Sequence, residues 1–339
     1  MMHSTSTPTM QVTEATMKIS IAMATYNGAQ YLKAQLQSFT DQTRHPDELI
    51  ITDDCSSDDT ETIVRDFAQT APFKVLFSLN EQNLGYCGNF NAALMKTTGG
   101  LVFLSDQDDV WFPGKIEHMI AVAERNPEAL VVMNDAALTD EALNEVGLTK
   151  MGQIRSAGLQ MDSFVMGCCC AVRRELLDIC MPIPAGLKGH DNWLVVLADG
   201  LNSKVIDTRV LQYYRRHESN ESQFIANRTT KVTRTDEFIL SLRNLFQKDF
   251  ATQTTVHLSQ LVMFADGVHE VSLKAPERYR HQLVKLESRY RQRVGTTKNR
   301  AAVREKWLLP RIVAAGGLWM HGGYRNSSGL KSIIRDIVG

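Results

Sequence analysis

Between Met17 and about residue 135, short apolar runs alternate with amphipathic stretches. The runs at 18–24, 48–52, 73–79, 101–105 and 129–134 have strand length, and the segments 29–39, 60–69, 87–97 and 114–125 between them carry apolar residues at helical spacing. Strands alternating with helices through short connections predict an α/β fold with a mostly parallel central sheet wrapped by helices. Past residue 135 the rhythm loosens: a loop is expected over 139–158, an apolar stretch over 164–172, a helix starting near His190 and a strand over 210–214. From there on the pattern is helical, with segments at 236–249, 254–271, 276–294, 300–315 and 329–337. Residues 1–16, rich in Ser and Thr, read as a disordered leader.

In parallel sheets ligands bind where strands end at their carboxyl side, so the residues following each run are the first place to look for chemistry. They are polar and acidic: Thr25, Tyr26 and Asn27 after the first, Asp53 and Asp54 after the second, Asn83 and Gly85 after the third, and Asp106, Gln107, Asp108 and Asp109 after the fourth. Three carboxylates within four residues resist ionising together unless a cation neutralises them. An open, oxygen-rich site of this kind suits Mg²⁺ or Mn²⁺, with substrate phosphates completing the coordination.

Taken together, Ala24-Thr25-Tyr26-Asn27-Gly28, Thr52-Asp53-Asp54-Cys55-Ser56-Ser57-Asp58, Asn83-Leu84-Gly85 and Asp106-Gln107-Asp108 resemble the family-2 glycosyltransferases. The resemblance covers residues 17–225 and implies a GT-A (nucleotide-diphospho-sugar transferase) catalytic domain there, followed by a helical region over 226–339. It implies that Thr25 and Asn27 line the nucleotide pocket with Asn83, that Asp53 or Asp54 accepts a hydrogen bond from the pyrimidine, and that Asp106 sits near ribose and metal while Asp108 ligates the metal. Asp58 is read as a helix cap.

Further along, Gly189-His190-Asp191-Asn192-Trp193-Leu194 resembles the segment that holds the family's catalytic base, which places that role on Asp191; His190 stands where many members carry a second carboxylate. Tyr213-Tyr214-Arg215-Arg216-His217-Glu218-Ser219-Asn220 resembles the segment whose His completes the metal shell, giving His217 as a ligand and Arg215 and Arg216 as diphosphate contacts. The wording Ser105-Asp106-Gln107-Asp108-Asp109-Val110-Trp111 is similar to rhamnosyltransferase-like members that build bacterial surface polysaccharides. The implied reaction is inverting transfer of a sugar, with dTDP-L-rhamnose as the foremost donor, to a saccharide or lipid-linked saccharide in O-antigen or capsule synthesis. A UDP-hexose or UDP-galactofuranose donor stays open, as does a non-catalytic nucleotide-sugar or glycan-binding subunit.

Composition changes this picture in two respects. The formal net charge of -1 conceals 17 basic against 29 acidic residues over 1–224, and 15 basic against 5 acidic over 270–339. The basic tail, with the apolar run Trp307 to Trp319, fits either peripheral contact with an anionic membrane or packing onto the protein or a second subunit. Aromatic and basic residues do not interleave as in a base-stacking platform, so no nucleic-acid partner is expected. The six cysteines include the consecutive Cys168, Cys169 and Cys170, which read as small core hydrophobes. Without a secretory signal or a run of about 18 apolar residues, a cytoplasmic protein is expected. A nicotinamide dehydrogenase is disfavoured because no GxGxxG follows the first run.

Overall fold

The computed structural model describes residues 17–218, 220, 224–243, 250–324 and 329–338. The expected leader and the end of the helix expected over 236–249 lie outside them. Six elements open the fold: β1 (Ile19–Thr25), α1 (Ala29–Thr40), β2 (Glu48–Asp53), α2 (Thr60–Thr70), β3 (Lys74–Leu79) and α3 (Gly85–Leu94). β4 (Leu101–Ser105), a short β5 (Val110–Trp111), α4 (Lys115–Arg125) and β6 (Val131–Thr139) follow. These match the alternation of apolar runs and amphipathic segments.

The strands form one sheet in the order β3-β2-β1-β4, continued by β8 (Cys170–Arg173), β6, β9 (Lys204–Arg215) and β5, with β7 (Glu145–Thr149) paired to β6. The first four are mutually parallel, and β8 enters antiparallel between β4 and β6. β1, β2 and β4 are buried on both faces, which is why they read as continuous apolar runs. β3 alternates because it forms the edge. The parallel arrangement brings the polar ends of β1, β2 and β4 to one side of the sheet.

One face is covered by α1 and α4 through Leu32, Leu36, Phe39, Ile116 and Met119. The other is covered by α3, α6 (Arg174–Cys180) and α7 (His190–Gly200), and onto these pack α9 (Phe250–Lys274) and the unbroken α10 (Glu277–Arg304). Trp193 of α7 is fully buried, donates its indole N–H to the Cys180 carbonyl at 3.1 Å and meets the Phe264 ring edge-on at 5.1 Å. The two long helices therefore share a core with the sheet, although they lie beyond residue 225. α5 (Lys150–Ser156) and α8 (Arg234–Arg243) complete the middle of the chain, and α11 (Leu308–Met320) and α12 (Leu330–Val338) its end. Cys168, Cys169 and Cys170 are buried, as expected of core residues.

Differences from the sequence reading are local. The segment expected as a loop over 139–158 holds β7 and α5, too short to show a period. Residues 294–300 continue α10 because Gly295 and two threonines weaken a helix that tertiary packing nonetheless carries through.

A buried carboxylate fastens the start of the sheet. Glu48 accepts hydrogen bonds from the Ser20 hydroxyl (2.6 Å) and the Thr98 backbone N–H (2.7 Å), and its other oxygen lies 3.2 Å from Lys18 Nζ. Burial raises its pKa, but the hydrogen bonds from Ser20, Thr98 and Lys18 outweigh it and bring the group down to about 2, against 4.5 ordinarily. Because the folded pKa is the lower one, the resulting stability is present above about pH 4.5 and is lost as pH falls toward about 2. Glu48→Gln is expected to cost about 1–3 kcal/mol at neutral pH and to flatten the loss of stability across that interval. Urea unfolding at pH 7 and below pH 4 checks this; an unchanged acid slope would contradict it.

Candidate active site

The turns after β1 and β2 are stitched together by side chains. Asn27 takes a left-handed conformation (φ 46°), which Asn tolerates better than most residues. Its backbone N–H donates to Ser56 Oγ and its Oδ1 accepts from the Ser57 N–H, both at 2.8 Å. Asp58 accepts from the backbone N–H groups of Ala29 and Thr60, each at 3.0 Å, and so caps the first turns of both α1 and α2. Gln107 ties the β4 turn to the same unit: its amide oxygen accepts from Tyr26 N and its amide nitrogen donates to Tyr26 O. A Cβ at position 28 would come within 2.3 Å of Gln107 Oε1 and displace this amide.

Of Thr25, Asn27, Asp53 and Asp54, one is turned into this framework and away from the cavity. Asp53, fully buried, accepts from Thr25 Oγ1 (2.7 Å), Ser56 Oγ (2.6 Å) and Ser56 N (2.8 Å), and does not border the cavity described below. Asp54, the other carboxylate expected at a pyrimidine, does border that cavity. It also accepts from Leu84 N at 2.7 Å, and Asn83 reaches its carbonyl at 3.2 Å, so the β3–α3 turn is fixed to it.

The acidic turn after β4 faces two ways. Asp109 points inward, fully buried, accepting from Gln212 Nε2 (2.9 Å) and Arg215 N (3.3 Å). Beneath it the buried Lys115 donates to the Cys168 carbonyl and to Gln212, its ammonium lying 3.9 Å from the Trp111 ring centroid. Asp108 points outward: its Oδ2 lies 2.8 Å from His217 Nε2 and accepts from Asn220 Nδ2 at 2.9 Å. Asp106 stands between them. Burial, then the charges of Asp108 and Asp191, push its carboxyl up to about 7. Asp106, Asp109 and Cys168 bring one ligand atom each within 4.8 Å of one another, a grouping able to hold a cation.

The third wall comes from α7. Gly189 (φ 87°) reverses the chain and delivers Asp191 in the first helical turn, where its Oδ1 accepts from Asn192 N at 2.8 Å. His190 beside it is stacked on Phe90 with centroids 3.7 Å apart, and neither ring nitrogen has a hydrogen-bond partner among the described residues. Burial pushes this imidazole below its ordinary value despite the pull of Asp191.

All three walls enclose a cavity of about 1450 Å³, bordered by Thr25, Asn27, Asp54, Asn83, Asp106, Asp108, Asp191 and His217. Arg215 and Arg216, expected at a diphosphate, do not border it. Arg215 instead donates to the carbonyls of Asp108 (2.8 Å) and Glu141, with its guanidinium 4.7 Å from the Tyr31 ring centroid, so it clamps the acidic turn from behind. Arg216 lies over Tyr214. A cation that sequence reasoning missed does border the cavity: Lys150, buried, bonded to Asn227 and pushed down to about 8 by burial. It follows a short strand inside the stretch read as a loop, so nothing in its surroundings marked it. Asn220 was quoted only as part of its motif; its spacing of three from His217 was the available signal.

Residues 20–179 match the profile of glycosyl transferase family 2. The match spans a little under half of the chain and, with its relatives, identifies the chain as a glycosyltransferase. Its sequence is 28% identical over 227 residues to the dTDP-rhamnosyl transferase RfbG of Shigella flexneri, covering 59% of this chain and 73% of that protein. It is 26% identical over 205 residues to the UDP-Glc:alpha-D-GlcNAc-diphosphoundecaprenol beta-1,3-glucosyltransferase WfgD of Escherichia coli, covering 60% and 79%. Residues 1–349 of Staphylococcus aureus TarS, solved in complex with UDP-GlcNAc, superpose with a TM-score of 0.53 at 18% identity, over 90% of this chain and 92% of that one. That likeness shows the GT-A fold. The glycosyltransferase thus has its acidic turn, its α7 carboxylate and its β1 and β2 turns on one cavity. Among the described residues no helix is long and apolar enough to cross a membrane.

Proposed function

We propose that this glycosyltransferase is inverting and metal-dependent, moving a sugar from a nucleotide diphosphate to an acceptor hydroxyl. The observation that carries this reading is the meeting of Asp106, Asp108, Asp191 and His217, spread over more than 100 residues of sequence, on one cavity. Their donor set, carboxylates with one imidazole, fits Mg²⁺ or Mn²⁺. When bound, such an ion supplies Lewis-acid stabilisation of the departing diphosphate. Asp106, Asp108 and His217 would hold it.

The chain's own groups do the rest. Thr25, Asn27, Asp54 and Asn83 hold the nucleotide end, with Asp54 accepting from the base. Lys150 adds positive charge toward the diphosphate. Asp191 takes the proton from the acceptor hydroxyl as its oxygen attacks the anomeric carbon and the diphosphate departs on the opposite face. His190, neutral and stacked on Phe90, holds the wall beside Asp191.

For the donor, the Ser105–Trp111 wording and the 28% identity to a dTDP-rhamnosyl transferase favour dTDP-L-rhamnose, and the 26% identity to a glucosyltransferase keeps UDP-glucose as the second reading. A panel of nucleotide sugars scored for nucleoside diphosphate release tests both. Release from dTDP-L-rhamnose above the others, dependent on Mn²⁺ or Mg²⁺ and abolished by a chelator, is expected. Undiminished release in the chelator would remove the metal from the reading.

For the setting, α11 exposes Leu309, Val313, Trp319 and Met320, with Trp307 just before it, and contains no acidic residue. An apolar surface with a basic surround suits an anionic lipid leaflet, where lipid-linked acceptors are presented. Replacing Trp307 and Trp319 by Ser is expected to release the protein from floating phosphatidylglycerol vesicles. Equal flotation of the variant would count against membrane contact through α11.

A further inference from the structure

The cavity extends past the residues that fit the transfer chemistry. Its remaining wall is one face of α10, formed by Leu286, Arg289, Tyr290 and Arg293, at spacings of three, four and seven that stack side chains along a helix. Contacts on either side fix that face. Leu286 sits against Gly200 at the end of α7, where a Cβ would come within 2.7 Å of Leu286 Cδ2, and Tyr290 stacks on Phe264 with centroids 4.2 Å apart.

The charges along this wall are distributed unevenly. Arg291, on the far side of α10, is paired with Asp266 (2.6 Å) and Glu287 (3.4 Å), and Arg300 and Arg304 are both paired with the buried Asp336. Asp199, the carboxylate on the cavity wall near Tyr290, is taken by Lys204 at 2.9 Å. Arg289 and Arg293 form no ion pair among the described residues; the Arg293 guanidinium lies 4.9 Å from the Tyr290 ring centroid, which holds it over the cavity. Two unneutralised guanidinium groups on a cavity wall make a site for a phosphate-type anion.

Their location bears on which anion. α7 carries Asp191 at one end and Asp199 at the other, eight residues or roughly 12 Å apart along the helix, and both border the cavity. The arginines stand with Tyr290 at the Asp199 end, a helix length from Asp191, whereas Asp191 at the other end is close enough to Asp106 for its charge to act on that carboxyl. We propose that Arg289 and Arg293 bind a phosphate or diphosphate ester carried by the acceptor, leaving the acceptor sugar to span the distance to Asp191. This assignment rests on the transfer reading above for its biological sense, but the anion site itself does not require it.

The test has a binding arm and a turnover arm. In the first, calorimetry follows octyl diphosphate binding in a chelator, which keeps the probe away from the carboxylate centre. Binding to the wild type, weakened roughly tenfold by each of Arg289→Gln and Arg293→Gln and partly restored by the Lys variants, is expected. Binding unaffected by the double Gln variant overturns the proposal, whatever the enzyme transfers. In the second arm, the same sugar is offered as a neutral octyl glycoside, as an octyl diphosphate ester and as a long-chain polyprenyl diphosphate ester. The Gln variants are expected to raise KM for both esters and leave that of the glycoside and of the donor unchanged. A loss confined to the polyprenyl ester would locate the interaction in the lipid chain, and a raised donor KM would place the arginines on the donor diphosphate; either result overturns the assignment. If the wild type transfers from no nucleotide sugar while the binding arm holds, the transfer reading fails and the anion site stands.

Discussion

Asp191→Asn is expected to lower the transfer rate by about 10²–10⁴-fold while leaving donor affinity within about twofold of the wild type. The substitution keeps the shape of the side chain and its contact with Asn192 N, so the first turn of α7 and the Gly189 reversal in front of it need not move. What disappears is the carboxylate on α7 beside the acidic turn; His190, on the same wall, is buried and stacked on Phe90. Stopped-time assays of product formation with titration of donor binding by calorimetry separate the two effects. Turnover near the wild-type level would remove Asp191 from the base position and direct attention to His190.

Asp108→Asn is expected to act on the other side of the reaction. Asp108 Oδ2 is the point on which His217 and Asn220 converge, and removing its charge leaves His217 without the carboxylate that orients it. Changes to groups that merely orient a metal ligand cost about 10–100-fold in affinity, so if Asp108 is the ligand proposed above, its loss should raise the Mn²⁺ concentration for half-maximal rate by about 100-fold or more. The fold should be little disturbed, because the structural carboxylate of the turn is Asp109, bonded to Gln212 and Arg215. Rates measured across a Mn²⁺ series provide the check. An unchanged half-maximal concentration would mean that the ion is held elsewhere, with Asp106, Asp109 and Cys168 the next grouping to alter.

The parallel half of the sheet was legible because each of its strands is a local event: an apolar run, a turn and an amphipathic helix, with pairing to the next unit following from chain reversal. β8 was not, since its position between β4 and β6 depends on partners more than 30 residues away and its run of cysteines has no alternation to read. The site shows the same division. Asp106, Asp108, Asp191 and His217 were found because the motifs containing them resemble a family, and all four border the cavity. Which of two adjacent aspartates faces it is a matter of side-chain direction: Asp53 ends a strand with its carboxylate turned into the next turn's hydroxyls, and a sequence does not carry that information. Arg215 illustrates a further limit. An arginine beside a presumed phosphate site looks like a ligand until backbone carbonyls are seen to occupy it. Lys150, Arg289 and Arg293 lie in segments with no motif, and only the packing of α5 and α10 against the sheet brings them to the wall.

α10 runs 28 residues without a break, about 42 Å. Near its middle it forms part of the reaction chamber, and at its end Arg300 and Arg304 grip Asp336 of α12, with α11 folded alongside. A rod anchored at both places behaves as a strut: whatever surface receives α11 sets the height and tilt at which the chamber opens. With α11 on a lipid leaflet, as proposed above, an acceptor anchored in that leaflet would have to be long enough to bridge the clearance to Asp191.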